Sequence, residues 1–248
     1  MKILFLGYPK CKLLSSLRLH YDVTQTMDKI DLELAQQFDR IISFGYSHII
    51  KSDIIDNIKL PIINLHISYL PYNRGYHPNF WSFLENTPKG ITIHNIDKGI
   101  DTGDILLQKE VKFTTQTTLK ETYDYLLDEI QNMFIENLFL LINNNITPRK
   151  QPNKGTIHYK KDLNTYKYLL TDGWDTKIIN IMNTKKKRTD LEIIDEVEQI
   201  RTKNNVNWMD ILRLAFKHAP DDARKLMGRV NEYDSRISEL LKELSSNG

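Results

Sequence analysis

Short runs of apolar residues alternate with more polar segments along the first part of the chain. The runs Lys2–Gly7, Arg40–Gly45 and Pro61–His66 predict buried parallel strands, because such strands are covered on both faces. Tyr21–Thr26 is a weaker strand candidate, and Asp31–Phe38 fits a short helix. Strands that alternate with helices predict an α/β fold with a Rossmann-like, mostly parallel sheet.

The pattern continues with helices and strands up to about residue 145. In chain order it predicts a helix at Ser52–Ile58 capped by Ser52, a helix at His77–Glu85 with Pro78 in its first turn, strands at Gly90–Ile96 and Asp104–Val111, and a helix of about six turns at Leu119–Ile142. The first predicted domain therefore covers residues 1–145.

The rest of the chain changes character twice. Residues 146–183 form a connecting segment with helical candidates at Asp162–Leu170 and Thr176–Met182. The cationic run at 184–188 is interpreted as a solvated linker rather than a nucleic-acid patch. Residues 184–248 are predicted as a helical tail for packing or oligomerisation, because apolar residues recur at helical spacing in three groups: Leu191, Ile194, Val197 and Ile200; Trp208, Ile211, Leu212, Ala215 and Phe216; and, after Pro220, Ala223, Leu226, Met227, Val230, Ile237, Leu240 and Leu244.

Composition narrows the function classes. With 248 residues, the chain is long enough for one sizeable core and an appendage. A net charge of +2 gives no argument for a nucleic-acid partner. The single cysteine, Cys11, excludes an intrachain disulfide and a multi-thiolate metal site. Since no apolar run approaches about 18 residues, we expect no membrane association and a cytoplasmic location.

A candidate site follows from three polar residues. Asn64 and His66 lie two positions apart at a predicted strand end, so they share a face where open α/β sheets bind ligands. Asp101 follows in the glycine-containing turn DKGIDTG and would orient His66. An amide, an imidazole and a carboxylate suit acyl transfer to an amine. The alternatives are a loop cap for Asn64, a core histidine and an Asx turn.

The stretch NLHISYLPYNRG, followed by KGITIHNIDKGIDTGDIL, resembles the N10-formyltetrahydrofolate-dependent formyltransferases. PYNRG followed by HPNFWSFLENTPKG is most similar to the sugar N-formyltransferases of that group. The resemblance covers roughly Arg40–Val111 and implies the formyltransferase fold. It also implies N10-formyltetrahydrofolate as co-substrate, no metal, and the amine of a nucleotide-linked amino-deoxy sugar, expected as a dTDP sugar, as acceptor.

The resemblance implies a catalytic trio of Asn64, His66 and Asp101. Asn64 would donate to the oxyanion of the tetrahedral intermediate, His66 would relay a proton, and Asp101 would hold His66. It further implies cofactor contacts from Phe44, Tyr46, Ile49, Asp97 and Ile100, and substrate contacts from Tyr69, Tyr72, Asn73, Arg74, Tyr76, His77 and Asn79.

Several of these residues keep a second interpretation. Tyr46 and Ile49 are as easily packing residues as cofactor contacts. Arg74 suits a diphosphate, or a structural clamp on its own loop. We predict a structural role for His94, while His158 lies where related sugar enzymes often contact the nucleotide.

The chain also departs from the family it resembles. Asn64 lies roughly forty residues earlier than in familiar members, as if one βα unit were missing between Gly7 and Tyr21, which predicts a fold shortened at the N-terminus. A helical tail and the low net charge argue against tRNA as substrate. A hydrolase of formyltetrahydrofolate is the alternative enzyme, although no N-terminal regulatory domain is expected. An inactive binding module and a helical assembly protein are weaker alternatives, and we expect a homodimer.

Overall fold

In the computed structural model of the protein, residues 1–152, 154–183 and 210–246 are described. The chain divides into two compact units, Met1–Lys186 and Lys187–Gly248. The predicted linker at 184–188, the first predicted tail helix and Trp208 lie outside the described residues.

A six-stranded mixed sheet organises the first unit, in the order β2-β1-β3-β4-β6-β7. Strands β1 to β4 are parallel, whereas β6 runs antiparallel to both β4 and β7. A second sheet pairs the two short strands β5 and β8. The strands are β1 (Lys2–Gly7), β2 (Asp22–Thr26), β3 (Arg40–Phe44), β4 (Ile63–His66), β5 (Arg74–Gly75), β6 (Gly90–Asn95), β7 (Ile105–Glu110) and β8 (Ile157–His158).

Helices cover both faces of the large sheet. The helices are α1 (Lys12–His20), α2 (Leu32–Ala35), α3 (Ser52–Asn57), α4 (Pro78–Leu84), α5 (Leu119–Glu136), α6 (Leu138–Ile142) and α7 (Ile178–Met182), with 3-10 helices at Lys160–Leu169 and Gly173–Asp175. The predicted α/β fold with a mostly parallel sheet is confirmed, and each predicted strand is found within three residues of its expected ends.

Three local predictions need correction. The helix predicted over Leu119–Ile142 is two helices, because Asn137 leaves helical geometry with φ −111° and ψ 18° between α5 and α6. Ser52 is the first residue of α3 and not its cap, since Lys51 takes that position. Helix α1 was not predicted; it begins where the Cys11 sulfur accepts a hydrogen bond from the Leu14 amide, and no further strand lies within residues 7–21, all of which are described.

The core lies on both sides of the sheet. One buried cluster joins the sheet to α1 and α5, and another joins it to α2 and α3. A third cluster links α4 to α7 and the first 3-10 helix. Residues 160–182 therefore pack against α4 within the first unit.

Phe134 of α5 has no exposed surface and lies in the cluster that α5 forms with the sheet. We expect Phe134→Ala to lower the free energy of unfolding by about 3–5 kcal/mol, because the change leaves a cavity in a packed core. Phe139→Ala is the matched control, since Phe139 is 59% exposed, and should cost about 1 kcal/mol or less. Urea unfolding measures both, and equal losses would contradict the prediction.

The second unit is helical where it is described. Residues 210–218 are helical, and α8 (Pro220–Ser246) follows. Asp221 and Asp222 lie in the first turn of α8, where negative charge favours a helix N-terminus. Among the described residues, we find no helix with the length and apolarity that crossing a membrane requires.

Candidate active site

Strand β4 carries the first two predicted site residues at its carboxyl end. Leu65, between them, packs into the core cluster beneath α1 and α5, so Asn64 and His66 share the opposite face. In the antiparallel register with β6, Asn64 lies opposite His94 and His66 lies opposite Thr92. The point where parallel pairing changes to antiparallel pairing is therefore lined by polar side chains.

Asp101 enters this face from the loop that joins β6 to β7. Its backbone is left-handed, with φ 51°, a conformation that Asp and Asn tolerate better than most residues. The Gly75 amide donates to Oδ2 at 2.8 Å, and Asn64 Nδ2 donates to Oδ1 at 3.3 Å. His66 Nδ1 lies 3.7 Å from Oδ2. The structure thus brings Asn64, His66 and Asp101 together.

His94 belongs to the same cluster, although the sequence suggested only a structural role. Its Nε2 lies 3.1 Å from Asn64 Nδ2 and 3.5 Å from Asp101 Oδ1. Its Nδ1 lies 2.8 Å from the Asn95 carbonyl oxygen, which can only accept. In the neutral ring, Nε2 therefore accepts from Asn64. Only the antiparallel register of β4 and β6 could have revealed this contact.

The Asn64 amide uses both of its hydrogens. One is donated to His94 Nε2 and the other to Asp101 Oδ1. Any further acceptor at Nδ2 must therefore share or displace one of them. The 3.3 Å contact to Asp101 is the longer of the two, and it is the one more easily given up.

His66 is anchored on its other side. Nε2 lies 3.1 Å from the Asn73 carbonyl oxygen, so Nε2 carries a hydrogen and Nδ1 faces Asp101. Asn73 is fully buried; its amide donates to Thr156 Oγ1 and its side chain donates to Thr87 Oγ1, each at 2.8 Å. These bonds hold Asn73 in place, and its carbonyl oxygen in turn orients the His66 imidazole.

The charge of Asp101 is set by two opposing influences. Burial alone would raise the pKa of its carboxyl group. The attraction between the carboxylate and the His66 and His94 rings in their charged form, together with hydrogen bonds from His94 and the Gly75 amide, outweighs burial, so the pKa of Asp101 lies well below its usual range. The lowered pKa favours the carboxylate form of Asp101 at neutral pH.

This depressed pKa predicts a pH dependence of stability. A carboxyl whose pKa is lower in the folded state stabilises it fully above the unfolded value, and the contribution is lost as the pH falls toward the folded value. Between roughly pH 5 and pH 2, we expect the free energy of unfolding to fall more steeply for the wild type than for Asp101→Asn. Denaturant unfolding at several pH values measures the two slopes, and parallel curves would contradict the assignment.

Among the predicted substrate contacts, Arg74 and Asn79 are engaged within the protein. Arg74 donates to Gln151 Oε1 at 3.2 and 2.7 Å, and Gln151 Nε2 donates in turn to the carbonyls of Asp101 and Gly103. Asn79 donates to the Leu119 carbonyl and to Thr122. Tyr69 and Tyr72 are half-buried, and Tyr76 is exposed.

The predicted cofactor residues differ in their surroundings. Phe44 is buried in the core, and the Tyr46 hydroxyl donates to the Asp28 carbonyl at 2.7 Å. Asp97 accepts from the Gly99 amide and the Thr102 hydroxyl in its own turn. Ile49 and Ile100 are the apolar members that face solvent, with 87% and 39% of their surface exposed.

A cavity of about 420 Å³ lies beside the loop that follows β4. His77 and Trp174 stack at its edge with ring centroids 5.6 Å apart and an interplanar angle of 27°. Tyr123 and Asp124 of α5 also line it. The sequence suggested His77 but not Trp174 or Tyr123, because their positions depend on how α5 and the second 3-10 helix pack. His158 stacks on Trp81 at 4.0 Å instead of lining this cavity.

Comparison with known proteins identifies the fold and the family. The formyl transferase family model matches residues 16–138. The formyltransferase PseJ from Anoxybacillus kamchatkensis, crystallised with UDP-4,6-dideoxy-4-formamido-L-AltNAc and tetrahydrofolate, is 46% identical. The match covers 73% of this chain and 97% of that one, with a TM-score of 0.69. The chain belongs to the formyl transferase family.

Other formyl transferases match over a smaller part of their length. The dTDP-4-amino-4,6-dideoxyglucose formyltransferase of Mycobacterium tuberculosis is 27% identical over 52% of this chain and 55% of its own length. A methionyl-tRNA formyltransferase of Clostridium perfringens is 36% identical over 48% of this chain and 39% of its own length. The chain thus spans about half the length, or less, of these curated relatives. The predicted resemblance to the family is confirmed.

Proposed function

We propose that this formyl transferase moves the formyl group of N10-formyltetrahydrofolate to the amine of an amino-deoxy sugar carried on a nucleoside diphosphate. One observation carries the proposal: Asp101 joins Asn64, His66 and the Gly75 amide at the carboxyl end of β4. The 46% identity to a protein crystallised with a formamido sugar nucleotide and tetrahydrofolate supports the substrate class.

The reaction forms one bond and breaks another at the formyl carbon. The sugar amine attacks this carbon, and the tetrahedral oxyanion that results collapses with cleavage of the bond to N10 of the folate. One proton leaves the amine and one is gained by N10, so the step needs no further reactant. No covalent bond to the protein is required.

Asn64 is assigned to the oxyanion. A positioned amide donor of this kind is typically worth about 3–4 kcal/mol in the transition state. Because both Nδ2 hydrogens already have acceptors, the oxyanion would draw one of them away from Asp101 Oδ1 or His94 Nε2. Donation that strengthens as the oxyanion forms favours the transition state over the ground state.

His66 is assigned to the proton transfer and Asp101 to its orientation. Nε2 of His66 is held by the Asn73 carbonyl, which leaves Nδ1, beside Asp101, as the nitrogen that can exchange a proton with the reactants. The Asp101 carboxylate stabilises the imidazolium that exists between the two transfers. General acid–base catalysis of this type contributes about 10²–10⁴ in rate.

The cofactor and the sugar nucleotide are assigned to opposite sides of the trio. The loop after β3, which contains Ile49, and the loop between β6 and β7, which contains Ile100, are proposed to hold the pterin. Both isoleucines offer exposed apolar surface there. The cavity beside His77 is proposed to receive the sugar nucleotide, because the loop that contains His77 also supplies the Gly75 amide to Asp101. The likeness to PseJ favours a uridine diphosphate carrier over the thymidine diphosphate expected from the sequence.

An acceptor panel tests the proposal. The full chain is incubated with N10-formyltetrahydrofolate and UDP- or dTDP-linked amino sugars, and tetrahydrofolate release is followed together with the mass of the sugar product. Formylation of at least one sugar nucleotide is expected. Tetrahydrofolate release without any acceptor would instead indicate a hydrolase, and formylation of methionyl-tRNA alone would indicate a tRNA enzyme; either result overturns the proposal.

Trp174 provides a test of the cavity. We expect Trp174→Ala to raise KM for the sugar nucleotide about tenfold, the effect of losing roughly 1.4 kcal/mol of stacking and apolar contact, with little change in kcat. Tyr168→Ala is the matched control, because Tyr168 is exposed and does not line the cavity. Steady-state kinetics at saturating cofactor separates the two constants, and an unchanged KM for Trp174→Ala would refute this placement.

The last part of the proposal concerns the association of this chain with other macromolecules. We propose that two copies of the chain associate through α8, and we propose no nucleic-acid or membrane partner.

A further inference from the structure

Helix α8 carries an apolar seam along its described length. The seam residues follow one another at alternating intervals of three and four positions: Ala223, Leu226, Val230, Tyr233, Ile237, Leu240 and Leu244. Leu226, Tyr233 and Ile237 are each more than half exposed. This interval is the 3.5-residue repeat of a coiled coil, sustained over three heptads. Ala223 is already buried, so the exposed part of the seam begins at Leu226. An exposed apolar stripe with this repeat is suited to cover by a second helix that carries the same repeat.

We propose that α8 pairs in parallel with α8 of a second copy of this chain, as a two-stranded coiled coil. The seam composition points to two strands. β-branched Val230 and Ile237 occupy the two inner first core positions, with Ala223 and Leu244 at the outer ones. Leu226 and Leu240 occupy second core positions, with Tyr233 between them. This combination favours parallel dimers over trimers and tetramers. The proposal concerns α8 alone and does not rest on the proposed formyl transfer.

The charges beside the seam favour the same pairing. In a parallel dimer, each residue that precedes a first core position faces the residue five positions later in the partner helix. Arg229 then faces Asp234 of the second copy, and the pair occurs twice by symmetry. The other such positions pair Asp222 with Met227 and Arg236 with Leu241, so like charges do not oppose one another there.

The antiparallel arrangement is disfavoured by the same residues. In the alignment that pairs Val230 with Tyr233 of the second copy, the residues preceding first core positions face each other. Arg229 would then face Arg236, and Asp222 would face Glu243, so two kinds of like-charge contact would each occur twice. Such contacts are a recognised means of excluding an alternative pairing. Charge complementarity between Arg229 and Asp234 therefore supports a second copy of α8 as the occupant of the seam and favours the parallel direction.

Sedimentation equilibrium of the full chain tests the dimer. We expect a species of twice the 29.2 kDa chain mass at micromolar concentration. Ile237→Asp places a charge in the seam and should shift the protein to monomer, raising the dimer dissociation constant at least a hundredfold. Ser238→Asp, one position along and off the seam, is the matched control and should remain a dimer. A monomeric or larger-than-dimeric wild type, or a dimer that survives Ile237→Asp, overturns the proposal.

A charge exchange tests the flanking contact. Arg229→Asp places Asp opposite Asp234 and should weaken the dimer at least tenfold. The double variant Arg229→Asp, Asp234→Arg restores opposite charges with the sign reversed, and should recover most of the affinity. Recovery requires Asp234 of the second copy to lie opposite residue 229; a double variant as weak as the single one would overturn this register.

A cross-link tests the direction. In a Cys11→Ser background, Leu240→Cys places two thiols at the same level of a parallel dimer, within reach of a disulfide. In an antiparallel dimer, residue 240 would lie opposite residue 223, about 25 Å along the helix from its counterpart. Mild oxidation should give a covalent dimer in high yield. A dimer that does not cross-link under these conditions would overturn the parallel arrangement.

Discussion

His66→Ala is expected to lower kcat for formyl transfer by about 10²–10⁴, because it removes the group assigned to the proton transfer. The side chain is mostly buried, with Nε2 bonded to the Asn73 carbonyl and Nδ1 directed at Asp101. His94 also lies between a backbone carbonyl and Asp101, but its Nε2 is already occupied by the Asn64 amide, whereas Nδ1 of His66 has no hydrogen-bond donor against it among the described residues. KM should change much less than kcat, since no ground-state contact to the substrates is assigned to this ring.

Two controls distinguish a loss of catalysis in His66→Ala from a loss of folding. His20→Ala, on the exposed end of α1, should keep the wild-type rate. Circular dichroism and urea unfolding should show that His66→Ala retains its fold. A folded His66→Ala protein whose kcat lies within fivefold of the wild type would refute the assignment of proton transfer to His66.

Asp101→Asn is expected to lower kcat by a similar factor of about 10²–10⁴. The reason is that the carboxylate orients the His66 imidazole and stabilises its protonated form during the proton transfer. Asparagine is the informative replacement, since it also tolerates the left-handed backbone found at φ 51°. An amide cannot accept at both of its ends. It therefore loses either the bond from Gly75 or the bond from Asn64, and its NH₂ group then faces a donor.

The pH profile separates an electrostatic role from a merely structural one. A carboxylate that stabilises the imidazolium also sets the pH at which kcat changes. In Asp101→Asn we therefore expect a lower kcat and a shifted pH profile of kcat. Asp104→Asn, three positions later in the same loop, is the control and should leave rate and profile unchanged. A loss of rate in Asp101→Asn with an unaltered pH profile would contradict the electrostatic role and leave only a positioning role.

Features that depend on neighbouring residues in the sequence could be predicted from it. The apolar runs at β1, β3 and β4 identify strands because their burial on both faces leaves few polar positions. The spacing of Asn64 and His66 placed both on one face, since side chains alternate along a strand. The glycine-containing turn before β7 indicated a tight loop for Asp101, which adopts a left-handed backbone there. These features supplied the sheet and three members of the site.

Features that depend on tertiary pairing were not accessible in this way. His94 contacts Asn64 only because β6 returns antiparallel beside β4, a register that strand propensity does not specify. Trp174 reaches His77 through the packing of a short 3-10 helix. The break at Asn137 left the apolar periodicity intact, because Leu138 and Leu141 of α6 enter the same cluster as Phe134 of α5.

The bonds that reach Asp101 and Asn73 from far along the chain have a consequence for biosynthesis. Gln151 holds the Asp101 carbonyl, Thr156 holds Asn73, and β8 pairs with β5 beside Gly75. All three partners are synthesised 50 or more residues after the loops that they secure. A nascent chain that has been made only as far as residue 145 lacks all three partners, so it cannot form the bonds that hold the Asp101 carbonyl, Asn73 and β5.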